Sequence, residues 1–159
     1  MDRVGTFAAV ALGSNLGDRR AHLQWAVEQL SALLSSCIVS RIIETEPVGV
    51  TDVQPPYLNA VAVGYTSLDA RALLTTLLDL ERRQGRERSH HWAPRTLDLD
   101  LVLFGASIIS EPQLTVPHPR FRERRFVLEP LAEVAPDALD PVTGQTASEL
   151  LAELDEREQ

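Results

Sequence analysis

The sequence predicts an α+β domain, an antiparallel sheet with helices packed on it. Three observations carry this. Four apolar stretches of strand length and two of helical period occur in the order strand, helix, strand, strand, helix, strand. A Pro/Gly-rich stretch, residues 46–56, separates the second strand from the third. With 44% hydrophobic and 24% charged residues, a 159-residue chain can bury one core, so residues 1–159 are read as a single domain.

Residues 6–12 are continuously apolar after Thr6 and read as a buried strand, ended by Gly13-Ser14-Asn15-Leu16-Gly17 as a tight turn. Asp18 is a suitable N-cap for a first helix, with Leu23, Ala26, Val27, Leu30, Leu33 and Leu34 at helical spacing. Residues 37–45 return to β-branched side chains and give the second strand; residues 57–66 give the third. Asp69 should cap a second helix carrying Leu73, Leu74, Leu77 and Leu78, with Gly85 at its end. A polar loop, 86–95, leads into a fourth strand, 96–104. Residues 108–109 and 114–116 suggest short edge pieces, 126–132 opens a C-terminal section, and 147–158 reads as a short acidic helix. The order βαββαβ is the ferredoxin-like arrangement. That fold hosts many unrelated activities and decides no chemistry.

Charge excludes some functions and suggests others. The formal charge is −8, which speaks against nucleic acid as a partner. Between Arg82 and Arg125, however, nine arginines face five acids, a net +4 within a strongly acidic chain. Such a contrast points to a local anion site. All fifteen basic residues are arginine, which excludes a Walker-type phosphate loop and Schiff-base chemistry, since both need lysine. Cys37 is the single cysteine, without an internal disulfide partner or a metal-ligand neighbour. No apolar run approaches the ~20 residues of a membrane span. The apolar stretch 7–12 is too short for a signal peptide, so a cytoplasmic location is expected.

The segment His91-Trp92-Ala93-Pro94-Arg95-Thr96-Leu97-Asp98-Leu99-Asp100-Leu101-Val102-Leu103-Phe104 carries the most chemistry. Alternation along a strand puts Leu97, Leu99, Leu101 and Leu103 on one face and Asp98 and Asp100 on the other, about 7 Å apart. Neighbouring carboxylates repel unless a cation sits between them. Magnesium, bound by a few carboxylates, waters and substrate phosphates, fits, and a pair of such ions could bridge phosphates. For a D-x-D pair alone, two solvent-facing aspartates on an open sheet face are the commoner case. Arg86, Arg88, Trp92 and Arg95 alongside shift the balance, because guanidinium groups bind phosphate. Downstream, in Leu114-Thr115-Val116-Pro117-His118-Pro119-Arg120-Phe121-Arg122-Glu123-Arg124-Arg125-Phe126, His118 and Arg124 could bind phosphate or nucleotide. For any one of these arginines a solvated helix start is the simpler account. Glu81 could accept hydrogen bonds from a ribose, and Asn59 could pair with a heterocycle edge.

Taken together, Ala11-Leu12-Gly13-Ser14-Asn15-Leu16-Gly17, Tyr57-Leu58-Asn59-Ala60, Glu81 with Gln84-Gly85-Arg86, Pro94-Arg95-Thr96-Leu97-Asp98-Leu99-Asp100 and Leu114-Thr115-Val116-Pro117-His118-Pro119 resemble the 6-hydroxymethyl-7,8-dihydropterin pyrophosphokinases of the folate pathway. The resemblance runs over residues 10–136, with the R-x-x-D-x-D block its most specific part. It implies the ferredoxin-like fold and transfer of pyrophosphate from ATP, the co-substrate, to the hydroxymethyl group of the dihydropterin, leaving AMP. It implies two Mg2+ ions on Asp98 and Asp100, and Arg86 and Arg95 gripping the transferring phosphates. Arg88 would ride the closing loop, and Glu81, Trp92, Leu101, Thr115, His118 and Arg124 would contact ATP. Tyr57, Asn59, Trp92 and Phe126 would form the pterin slot, with backbone hydrogen bonds from Thr45 and Val48. A monomer acting on small molecules is expected. The chain departs from the family pattern in a loop 85–92 one residue shorter, with Ser89 in place of a lysine, and at Glu46, Leu78 and Gln113. Two other readings are a non-catalytic ferredoxin-like anion-binding module and a different D-x-D nucleotide-dependent transferase.

Overall fold

A computed structural model describes residues 5–15, 18–45, 56–85 and 97–158. The chain opens with strand β1 (Thr6–Ser14), whose continuous apolar run is buried on both faces. Helix α1 (Arg19–Leu33) follows, and the Asp18 carboxylate accepts the Ala21 N–H as the sequence predicts. Next come β2 (Ser35–Val39), β3 (Ile43–Thr45) and β4 (Tyr57–Thr66). Helix α2 (Ala70–Gly85) starts on Asp69, whose side chain accepts the Ala72 N–H at 2.8 Å. Strand β5 (Asp98–Phe104) completes the main sheet. A small hairpin, β6 (Ile109–Glu111) and β7 (Leu114–Val116), turns at Gln113 with φ of 66°. Helices α3 (Arg125–Val134) and α4 (Ala147–Arg157) close the chain.

In the sheet, the strand order is β2-β4-β1-β5, antiparallel throughout, with β3 also paired to β4. This is the predicted ferredoxin-like arrangement. The single second strand expected over 37–45 is instead two strands, interrupted where the Ser40 hydroxyl accepts the Val61 N–H at 2.9 Å.

Helices pack on both faces. Val10, Leu12, Leu58 and Ala62 pack with Leu23 and Leu30 of α1 and Leu73 and Leu77 of α2. Ala9, Ala11, Val61 and Val63 pack with Leu128 and Leu131 of α3 and Leu150 and Leu154 of α4. One expectation fails here. Leu97, Leu99 and Leu101 join the first core, but Leu103 lies in the second, beside Val102. The cause is a β-bulge: Val10 pairs with Leu101 and Ala9 with Leu103, so Val102 is an extra residue and alternation inverts past it. Among the described residues, no helix is long and apolar enough to cross a membrane.

Candidate active site

The sheet's register assembles the site before any helix does. Gly13 on β1 pairs with Asn59 on β4 and with Asp98 on β5, so the three stand in one row. Two residues further, Ala11 pairs with Val61 and with Asp100. Strand alternation therefore puts Asn59, Gly13, Ala11, Asp98 and Asp100 on one face. Small residues in the middle strand keep the floor shallow: a Cβ on Gly13 would stand 3.3 Å from Asn59 Oδ1 and 4.0 Å from Asp98 Cβ. Helix α3 covers only part of this face. By its first turn lies a cleft of about 890 Å³, lined by Asp98, Asp100, Asn59 and Tyr57 from the strands and by Arg124 and Phe126 at the start of α3.

Asp98 is half-buried and Asp100 exposed, on either side of the buried Leu99. Because β5 lies at the edge of the sheet among the described residues, the Leu99 N–H meets no described strand on that side; it donates to the Glu81 carboxylate at 2.7 Å. A residue expected to meet a ribose thus also holds the backbone between the two aspartates. On the floor, the Asn59 amide donates to Thr45 Oγ1 at 2.8 Å, which fixes which edge of the amide faces the cleft.

His118 is placed by the bulge. Its N–H donates to the Val102 carbonyl at 2.9 Å, and the Arg120 N–H donates to its Nδ1 at 3.2 Å. Burial lowers its pKa; Asp100 pulls the other way, and Arg124 and Arg120 add to the lowering. The imidazole therefore lies within electrostatic reach of one aspartate and of the arginine wall. That wall is a 3-10 turn, Phe121–Glu123, anchored by Phe121, which is 1% exposed in the second core. Arg120 and Arg124 flank the turn and line the cleft; the Arg124 guanidinium sits 5.7 Å from the centre of the Phe126 ring.

Two arginines of the basic segment are already paired within the chain. Arg122 is forked onto the buried Asp140, at 2.5 and 2.9 Å, and Arg125 pairs with Asp155 of α4 and with Glu158 just past its end. Their charge is neutralised within the chain. Arg120, not singled out from sequence, does reach the cleft. The pairing partners lie 18 or more residues away, so no local pattern marks them.

Of the expected site residues, the cleft gathers Thr45, Tyr57, Asn59, Asp98, Asp100, Arg124 and Phe126. His118 joins through Asp100 and Arg124, and Glu81 through Leu99. Thr115 is exposed on the β6–β7 hairpin. The Leu101 side chain is 5% exposed in the first core, which leaves only its main chain for a nucleotide. Val48, Arg86, Arg88, Trp92 and Arg95 lie outside the described residues.

Among the described residues, no three His, Cys, Asp or Glu side chains cluster as a metal cage. Two carboxylates on an open wall suit magnesium, which keeps most of its waters and takes phosphate oxygens as further ligands. Fold and cleft together define a class, an α+β protein whose cleft is lined by a carboxylate pair and by arginines, suited to a phosphorylated ligand.

The comparisons take this further: the chain belongs to the 7,8-dihydro-6-hydroxymethylpterin-pyrophosphokinase family, whose sequence profile matches residues 9–136. It is 42% identical over 152 residues to the 2-amino-4-hydroxy-6-hydroxymethyldihydropteridine pyrophosphokinase of Methylorubrum extorquens, covering 94% of each chain. The Pseudomonas aeruginosa protein of the same name is 43% identical over 145 residues, 90% of this chain and 88% of that one. The Bacillus subtilis protein is 46% identical over 133 residues, 82% and 79%. The crystal structure of Plasmodium falciparum HPPK-DHPS superposes with a TM-score of 0.72 at 14% identity, covering 96% of this chain. This chain spans 41% of that one, and the likeness bears on the fold alone.

Proposed function

We propose that this chain transfers the pyrophosphate of ATP to the hydroxymethyl group of 6-hydroxymethyl-7,8-dihydropterin, giving the pterin diphosphate and AMP in folate biosynthesis. The observation that carries the reading is the pairing of Asp98 and Asp100 on the wall of a cleft whose floor bears the Thr45-oriented Asn59 amide. Family membership speaks for this enzyme over a non-catalytic module or another D-x-D transferase.

In this reading the dihydropterin lies over Gly13, its edge paired with Asn59 and its plane against Phe126, with Tyr57 at the side; all four residues line the cleft. Its hydroxyl oxygen forms a bond to the β-phosphorus of ATP while the bond from that phosphorus to the oxygen bridging to the α-phosphate breaks, so AMP leaves in line. Asp98 and Asp100 would hold two Mg2+ ions. The metal supplies charge neutralisation on the phosphates and lowers the hydroxyl's pKa. Arg124 and His118 would meet the nucleotide and Arg86 and Arg95 grip the transferring phosphates, with Arg88 on the closing loop, Trp92 against the pterin and Val48 hydrogen-bonding it through its backbone. Catalysis then rests on positioning and on stabilising charge as it develops. The enzyme works as a cytoplasmic monomer on small molecules; a formal charge of −8 speaks against nucleic acid.

Incubation with magnesium, ATP and the dihydropterin tests the reaction. AMP should appear in step with the pterin diphosphate and only with the metal present. ADP as the product, or AMP release independent of the pterin, would refute it.

A further inference from the structure

Asp140 lies beyond the stretch shared with the family profile, which ends at residue 136, and is 1% exposed. A buried carboxylate needs full hydrogen bonding to persist. It has that: Arg122 Nε and Nη2 at 2.5 and 2.9 Å, the Thr143 hydroxyl at 2.8 Å and the Val142 N–H at 3.0 Å. The Arg122 guanidinium in turn lies 4.8 Å from the centre of the Phe121 ring, which plugs the second core under the 3-10 turn. The loop that holds Asp140 is braced by its own backbone: Asp140 N–H to the Gln145 carbonyl, and Gly144 N–H back to the Asp140 carbonyl. One side chain of this turn, Phe121, is thus held in the core and the next, Arg122, is held by Asp140, and the residues on either side of the turn, Arg120 and Arg124, line the cleft.

We propose that Asp140, through Arg122, is a positioning residue that sets the arginine wall of the cleft for the nucleotide. The inference rests on reading Arg124 as a nucleotide ligand. A bidentate fork fixes direction as well as distance, which a point charge does not. Without it, the turn keeps its anchor at Phe121 but loses its orientation about that anchor, and Arg124 no longer presents a single rotamer to the phosphates.

The test compares Asp140→Asn, Arg122→Lys, Leu154→Ala and Arg124→Ala, all as the full chain. Leu154, 5% exposed in the second core, gives a destabilised control that leaves the fork intact. ATP affinity is read by calorimetry, KM for ATP and for the pterin by AMP release, and unfolding by thermal melt. Asp140→Asn and Arg122→Lys should each weaken ATP binding about tenfold, the scale on which losing a supporting hydrogen-bond partner impairs a ligand shell. KM for the pterin should stay within about twofold. Leu154→Ala should lower the melting point without moving ATP affinity. Wild-type ATP affinity in both fork variants overturns the proposal, and so does an equal loss in Leu154→Ala, which would make the effect one of general stability. Should Asp140→Asn fail to fold, Arg122→Lys alone decides, since it keeps the charge. Arg124→Ala separates the two levels. If it binds ATP normally, the nucleotide reading fails and takes the proposal with it; if it loses ATP while the fork variants do not, only the proposal fails.

Discussion

Replacing Glu81 by alanine removes the acceptor of the Leu99 N–H, a 2.7 Å hydrogen bond to a carboxylate oxygen at the sheet edge. Hydrogen bonds to charged groups contribute about 1.5–3 kcal/mol. Glu81 is half-buried, so the lower end applies, about 1.5 kcal/mol, or roughly 3–6 °C in melting temperature for a domain of this size. Glu81→Gln keeps a neutral acceptor and should fall between wild type and alanine. Calorimetric melting without nucleotide is the decisive assay, because it separates two roles for one side chain. A carboxylate that serves only a ribose leaves the unliganded protein unchanged when removed and raises only KM for ATP. A carboxylate that buttresses β5 lowers the melting point before any ligand is added, and loosens Asp98 and Asp100 with it. An unliganded Glu81→Ala protein that melts within about 1 °C of wild type refutes the buttress.

Asp98→Asn and Asp100→Asn should each reduce AMP formation more than about 100-fold, beyond the loss expected from a supporting residue; steady-state turnover across a magnesium titration shows it, and wild-type turnover would contradict the metal assignment. Asn59→Ala leaves Thr45 Oγ1 without its 2.8 Å donor and the floor without an amide, so KM for the pterin should rise about tenfold with KM for ATP little changed. Acid unfolding should carry the mark of Asp140. Burial alone would raise its carboxyl pKa, but the Arg122 fork, Thr143 and the Val142 N–H outweigh burial and hold it below the usual 3.8. Its folded-state value is depressed, so its contribution to stability is whole above that pH and is lost as pH falls through 3.8 toward the folded value. Asp140→Asn should therefore flatten the stability curve below about pH 4; curves that stay parallel between pH 6 and pH 3 would refute this.

Much of the fold was legible because local physics and tertiary packing agree. The Asp18 and Asp69 caps and the apolar runs of β1 and β4 each satisfy a local rule and also serve the core. The Leu103 expectation failed because alternation assumes an unbroken ladder, and a bulge depends on the partner strand. That same bulge leaves the Val102 carbonyl free to hold His118, so the irregularity hidden from the sequence places a site residue.

By itself, the sequence determined the βαββαβ order of the main elements and that Asp98 and Asp100 project from one strand face, since both follow from spacings of two to four residues. It also determined the family, through five short motifs in order. Only the tertiary structure decided what the cations of the 120–125 segment do. Arg122 is neutralised by Asp140, and Arg125, though it lines the cleft with Arg120 and Arg124, is neutralised by Asp155 and Glu158. Coulomb attraction depends on separation in space, and 18 to 33 residues of chain separate these partners until α4 packs against the sheet.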